Sequence, residues 1–276
     1  MASLECNNEA ITGLSLAWAG CMLFFHAHRD NEDISFYRHI DRRQRSVVWT
    51  YLPFDDGEFI ETIWWGADIF ASFCSIVVST NRGRVMTMGP HLNPWRPPAV
   101  WSRVFAASGG PDRIYWDYSQ WGSRKLATTS PADQTPGPSI SHISPRPYTS
   151  GPILYSSASL QDIIGIIPCQ KRHKAHLSIT GLLICYPNNC QACVGEVRLD
   201  SLCTTIKVAD FPALYLGFTY AEHKFPYLAR IELLPPKDME TYEWLELGWQ
   251  GTLEWWYESR QCKIWYNDKE SPATHM

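Results

Sequence analysis

The chain is short of almost every motif that announces a chemistry. Its 276 residues hold no GxSxG elbow, no P-loop, no GxGxxG turn and no HExxH pair, so none of the common nucleophile, nucleotide or zinc-protease signatures is present. Clustered basic charge is missing too. Arg42-Arg43-Gln44-Arg45 and Lys171-Arg172-His173-Lys174 are the longest approaches to a basic block. The first sits among Asp30, Glu32, Asp33 and Asp41, and net charge is −4 with a pI near 6.1. Nucleic acid is therefore not an expected partner. The apolar run from Ile11 to Phe25 is preceded by Glu5 and Glu9 rather than by Lys or Arg, the wrong leader for a signal peptide. Gly13 and Gly20 interrupt it, and it is short for a membrane span. Nine scattered cysteines are an odd number, which suits reduced thiols in a cytoplasmic protein.

What the chain has in quantity is aromatic side chains: 13 Trp, 13 Tyr and 11 Phe, against 19% charged residues. Such rings favour strands and bury large areas, and they can also stack on flat ligands such as sugars. Two echoes stand far apart. Ile11-Thr12-Gly13-Leu14 returns as Ile179-Thr180-Gly181-Leu182, each ahead of a second apolar run, and a third hairpin pattern lies between them from Cys74 to Gly89. Repeats at long spacing predict internal pseudo-symmetry. Short strands with turn signals every 8–12 residues predict an all-β protein, a β-prism or β-sandwich built from repeated antiparallel hairpins.

Residues 1–122 read as a first β block. Within it Ile11 to His28 is a hairpin turning at Ala19-Gly20, Arg29 to Arg45 a polar loop or irregular excursion, Val47 to Phe54 and Phe59 to Trp65 strands, and Ala99 to Ala107 a possible helix bounded by Pro97, Pro98 and Gly109. Residues 123–157 are dense in Ser, Thr and Pro and read as a long loop or linker. Residues 158–268 form a second β block, which packs either alone or with the first, and 269–276 a tail. In the second block Leu160 to Pro168 favours strand, Leu177 to Val197 is the echoed hairpin, Ala213 to Tyr220 and Leu228 to Leu234 make a strand pair, and Trp244 to Tyr266 is a meander.

Candidate sites are few. Cys190-Gln191-Ala192-Cys193 is a lone CxxC on a strand, where the two thiols point to opposite faces. His26-Ala27-His28 puts two imidazoles on one strand face near Asp30 and Glu32, without a complete ligand set, so neither a metal nor another cofactor is expected. His173 and His176 read as solvated loop residues. Glu254 and Glu258 flank Trp255-Trp256-Tyr257; carboxylates beside Trp serve acid–base chemistry on sugars, sugar binding, or only the polar face of a strand.

The stretches Ile60 to Trp65, Ser79 to Arg84 with Gly89-Pro90, Ile179 to Asp200, and Trp244 through Gln261-Cys262 resemble a set of Trp-rich filamentous-fungal proteins, a likeness that covers most of the chain outside the linker. The hairpins themselves are similar to jacalin-like repeats. That resemblance implies three four-stranded Greek keys in a β-prism, with loops at one end that bind mannose or galactose. The family's late Gly-x-x-x-Asp loop is one residue longer here, at Gly195-Glu196-Val197-Arg198-Leu199-Asp200.

The reading that follows is a non-catalytic ligand-binding or interaction module, with carbohydrate among its candidate ligands and Trp64, Trp65, Trp255 and Trp256 as the binding residues. Its expected partners are a glycan, a small hydrophobic molecule or a protein. One alternative is a cyclase, isomerase or dehydratase acting on a fungal metabolite in an aromatic-lined cavity, with Glu254, Asp200 and His26 as catalytic candidates. Another is a structural or regulatory interaction protein.

Overall fold

Runs of β-branched and aromatic residues, punctuated by turns at Gly20, Gly57, Gly83 and Gly251 with positive φ, fold into antiparallel hairpins. The computed structural model describes residues 2–43, 46–67, 74–91, 100–107, 112–117, 126–128, 152–173, 176–221, 225–259 and 261–272. The chain divides into two units, Met1–Leu154 and Tyr155–Met276.

The first unit contains β1 (Ala2–Cys6), β2 (Ile11–Trp18), β3 (Met22–Arg29), α1 (Phe36–Arg43), β4 (Val48–Pro53), β5 (Ile60–Ala67), β6 (Cys74–Thr80), β7 (Val85–Met88), β8 (Val100–Ala106), β9 (Asp112–Trp116) and β10 (Leu126–Thr128). They form three sheets, ordered β1-β9-β10, β3-β2-β4 and β7-β6-β5-β8. The second unit contains β11 (Leu154–Ser159), β12 (Gly165–Arg172), β13 (Leu177–Cys185), β14 (Gln191–Gly195), β15 (Ile206–Lys207), β16 (Leu214–Tyr220), β17 (Pro226–Glu232), β18 (Glu243–Leu247), β19 (Thr252–Tyr257), β20 (Cys262–Tyr266) and β21 (Lys269–Glu270). Its sheets run β11-β19-β20-β21, β14-β13-β12-β15 and β17-β16-β18.

Both units follow one plan. In β8-β5-β6-β7 and in β15-β12-β13-β14, three hairpin-linked strands are followed by a fourth that returns beside the first, the Greek-key order. The first strand of each plan pairs with a late hairpin, β1 on β9 and β11 on β19. In β4-β2-β3 and β18-β16-β17 the third strand of the key is missing among the described residues. In the first unit α1 occupies that stretch of chain. The all-β, hairpin-built architecture expected from the turn spacing is the one observed.

Several local expectations are corrected. Residues 100–106, read as a possible helix, are strand β8 on the edge of β5. Val100, Trp101, Val104 and Phe105 favour a pleated surface, and the Trp101 ring lies over Gly66, where no Cβ stands in its way. The polar excursion contains α1, introduced by Asp33, whose carboxylate accepts from both the backbone N–H and the hydroxyl of Ser35. Strand β12 starts at Gly165 rather than Leu160, because Asp162 turns the chain at φ 59°. Lys269–Glu270, read as tail, pair with β20. Of the Ser/Thr/Pro-rich span, 126–128 and 152–157 are described, and the rest lies outside the described residues.

The echoed Ile-Thr-Gly-Leu words do not occupy equivalent places. The first opens its Greek key in β2, whereas the second lies in β13, the second strand of its key. What they share is a central strand with neighbours on both sides and a register shift close to the glycine. A Cβ on Gly13 would lie 2.7 Å from the Leu52 carbonyl oxygen, and one on Gly181 would lie 2.6 Å from those of Val194 and Glu196. The word therefore encodes close backbone approach at a bulged strand.

Leu14, Leu16, Trp18, Phe25, Ile63 and Val77 are buried in the first unit; Leu182, Val194, Leu216, Leu253, Trp255 and Ile264 are buried in the second. Each such side chain contributes about 1.5–3 kcal/mol by leaving water. No helix among the described residues is long and apolar enough to cross a membrane.

Candidate functional site

Three hairpins of the second unit end at the same place. β12 turns into β13, β16 into β17 and β19 into β20, and each turn is closed by one backbone hydrogen bond. His173 N–H donates to the His176 carbonyl (2.8 Å), Ala221 N–H to that of Phe225 (3.1 Å) and Glu258 N–H to that of Gln261 (3.0 Å). Each turn joins a hairpin in a different one of the unit's three sheets, so the plan of the unit brings them together. A cavity of about 370 Å³ opens among them, within the range of small-molecule sites.

Each sheet contributes a different character. From β12 and the end of β14 come Lys171 and Glu196; Lys171 Nζ donates to both carboxylate oxygens of Glu196, at 3.0 and 3.2 Å. Glu196 is buried, and Lys171 neutralises it where its charge would otherwise lack solvent. Past β12, His173 shares a hydrogen bond between Nε2 and the Ser178 hydroxyl (2.9 Å) and stacks on His176, which stacks on Tyr227 of β17 with centroids 4.0 Å apart. Burial, then the neighbouring His176 and Lys171, hold the His173 pKa below its ordinary value, so the neutral ring is favoured.

From β19 comes Tyr257. Its side chain lines the cavity, and its hydroxyl is buried, with no hydrogen-bond partner among the described residues. Burial pushes its pKa well above the ordinary phenol value, helped by the nearby Glu196 charge and Cys193. It is thus a neutral donor held ready in a dry place. Glu258 accepts from Gln261 Nε2 at 2.7 Å. Cys262, opposite Tyr257 in the ladder, is pushed up to about 12 by burial, so it is an inert thiol.

The residues singled out in the sequence are dispersed. Trp64 is buried on β5 with the Arg103 guanidinium over its ring, and Trp65 beside it is half-buried; both belong to the first unit. Trp255 and Trp256 are 0% exposed on β19. Trp256 packs against Tyr155, with centroids 4.5 Å apart. These two fill the interior of the second unit, and the cavity is lined by their neighbour Tyr257 instead. Glu254 is half-buried on β19 opposite Trp265. Asp200 is engaged by Arg198 through Nε and Nη2, both at 2.9 Å, in a buried pair. His26 lies in the first unit beside His28 and Glu32. Of the three catalytic candidates, then, Glu254 and Asp200 belong to the second unit and His26 to the first.

Lys171, His173, His176, Glu196, Tyr227 and Tyr257 carry the cavity, and none of them was among the binding or catalytic candidates; the two histidines were read as loop residues facing water. The signal available was their position: each lies within two residues of a first-to-second strand turn or at a strand end. No family model matches the chain, and no curated protein or solved structure matches it.

Proposed function

We propose that the chain is a non-catalytic binding module whose second unit takes a small polyhydroxylated ring, a sugar or a close chemical relative, at the meeting point of its three hairpins. The observation that carries the reading is Tyr257, whose side chain lines a cavity of about 370 Å³ and whose buried hydroxyl has no partner among the described residues. Leaving such a group unpaired costs about 1–3 kcal/mol, a penalty that an arriving hydroxyl or carbonyl oxygen would remove. The flat His176–Tyr227 pair offers a stacking face for the apolar side of a ring. Lys171, Glu196 and Ser178 supply polar atoms of both senses.

Binding is favoured over turnover because the carboxylates and the phenol of the cavity are already committed. Glu196 is neutralised by Lys171, Glu258 is held by Gln261, and Tyr257 is locked in its protonated form. A general base needs a pKa near the working pH and a free lone pair.

A glycan array followed by calorimetry on the best hit tests the reading. The expected result is saturable one-to-one binding that weakens on Tyr257→Phe. Absence of binding across the array, or a Tyr257→Phe protein that binds with undiminished affinity, overturns it.

A further inference from the structure

One face of sheet β3-β2-β4 holds a second constellation, in the first unit. Cross-strand register places Gly13, Ser15 and Ala17 of β2 on one face with Phe24, His26 and His28 of β3 and with Trp49 and Tyr51 of β4. Helix α1 covers part of this face through Tyr37, which is fully buried and packs edge-on against Trp49. After β3 the chain turns at Asn31, with φ 56°, and brings Glu32 back onto both histidines. Glu32 Oε2 lies 2.9 Å from His26 Nε2, and its Oε1 contacts His28 Nδ1.

We propose that His26, His28 and Glu32 form a binding site for one zinc-like divalent cation. Two imidazole nitrogens and a carboxylate are the donor set of a three-ligand zinc site. The three donor atoms lie within 4.8 Å of one another. Tetrahedral coordination at 2.0–2.2 Å separates donors by about 3.4 Å, so side-chain adjustments of about an ångström seat the ion. The ligands fall within seven consecutive residues, and the strand period alone puts His26 and His28 on one side. Little chain entropy is lost in closing so short a loop.

The surroundings are those a ligating histidine needs. His28 Nε2 lies 2.7 Å from the Ser15 hydroxyl and 3.2 Å from that of Tyr37, and those two oxygens are 2.8 Å apart. When Nε2–H donates to them, the ring is fixed in the tautomer that leaves the Nδ1 lone pair for the ion. Phe36 lies against His26 with centroids 4.3 Å apart, and Tyr51 sits edge-on to His28 at 5.4 Å. These rings restrain both imidazoles and lower the local dielectric. His28 is buried, whereas the His26 and Glu32 side chains are 26% and 19% exposed. The ion thus sits at the rim of the covered face, where water reaches the fourth position. Bound there, it would staple β3 to the turn that leads into α1.

The full-length chain, stripped with EDTA and titrated with Zn²⁺ against a chromophoric chelator, gives the test, with Co²⁺ as a spectroscopic substitute. One ion per chain is expected, with the intense visible bands of tetrahedral Co²⁺ and a higher melting temperature on Zn²⁺ addition. His26→Ala and Glu32→Gln should abolish all three, and the exposed His39→Ala should change none. Ser15→Ala, which removes the hydroxyl bonded to His28 Nε2 and to Tyr37 but no ligand, should weaken binding about 10- to 100-fold. Circular dichroism of each stripped variant separates loss of the site from loss of fold, and the Co²⁺ spectrum of the parent chain requires no variant. A parent chain with no saturable uptake and no tetrahedral Co²⁺ bands overturns the proposal, as does undiminished uptake by folded His26→Ala. The Glu32–His28–Ser15 chain would then be a buried hydrogen-bond relay only.

Discussion

The imidazole of His176 lies over the ring of Tyr227, with centroids 4.0 Å apart and planes inclined by 26°. One ring belongs to the turn between β12 and β13 and the other to β17, so two sheets of the second unit meet at this stack. This part of the cavity wall is therefore built from two of the unit's three sheets, and a change in either should be felt by a ligand in it.

Aromatic stacking is worth about 0.5–1.5 kcal/mol beyond the area it buries. Tyr227→Leu and His176→Ala should each weaken binding of the best sugar from an array by about 3- to 10-fold. Tyr227→Phe, which keeps the ring, should leave affinity close to that of the parent. Calorimetry reads the difference. A leucine variant that binds as tightly as the parent would remove the stack from the binding account.

Tyr257→Phe should separate stability from binding. The hydroxyl is buried without a partner among the described residues, so deleting it removes a desolvation cost of about 1–3 kcal/mol while the ring stays in place. The ligand-free variant is expected to be at least as stable as the parent in a urea titration, and its affinity for ligand lower. A variant clearly less stable than the parent would mean that the hydroxyl has a stabilising partner when the cavity is empty.

The hairpins were legible in the sequence because their signals are local. Alternation in Leu253, Trp255 and Tyr257, and turns such as Gln250-Gly251, depend only on the pleat and on φ at one residue. No local signal carried the Greek-key order, which only the jacalin-like resemblance implied, since it depends on which strand returns beside which, as when β11 joins β19 across most of the second unit. The same limit applied to the cavity: Tyr257 and His176 are separated by eighty residues and meet only once the keys have closed. Trp255 and Trp256 drew attention as a dense aromatic pair, yet density of rings does not distinguish a core from a platform. At His26 and His28 the third ligand was in view as Glu32, but only the turn at Asn31 shows that it folds back.

Asp200 should prove structural. Its carboxylate and the Arg198 guanidinium form a bidentate pair with both side chains nearly excluded from solvent. Asp200→Asn strands a buried cation, at a cost of about 3–5 kcal/mol. Chemical denaturation should show that loss, with ligand affinity unchanged under conditions where the variant remains folded. Loss of binding by a folded Asp200→Asn chain would draw the loop after β14 into the site.

Gly181→Ala tests the bulged-strand reading of the echoed word. The added methyl group would meet two backbone oxygens, Glu196 O and Val194 O, both at 2.6 Å, and a backbone cannot rotate aside as a side chain does. Overpacking of this kind costs about 1–3 kcal/mol. Since relief comes by displacing the end of β14, Glu196 should move away from Lys171 and ligand affinity should fall together with stability. Equal stability of Gly181→Ala and parent would show that the strand has room the geometry denies.

Acid should loosen the second unit through His173. Burial, His176 and Lys171 hold its folded-state pKa below the ordinary 6.5 of the unfolded chain. Between the two values the unfolded state binds more protons, so stability rises with pH across that window and is lost as pH falls through the folded value. The stabilising contribution is complete above about 6.5. His173→Gln keeps a polar group near Ser178 but cannot titrate, and its stability should fall less steeply than that of the parent as the pH is lowered from 6.5. Comparing the two slopes isolates this ring from the other histidines. Protonation also places a second positive charge beside Lys171, so ligand affinity in the parent should drop over the same interval and stay flat in the variant. Parallel slopes for parent and variant would place His173 outside the titrating set, and the neutral imidazole would no longer be part of how the cavity keeps its charge balance.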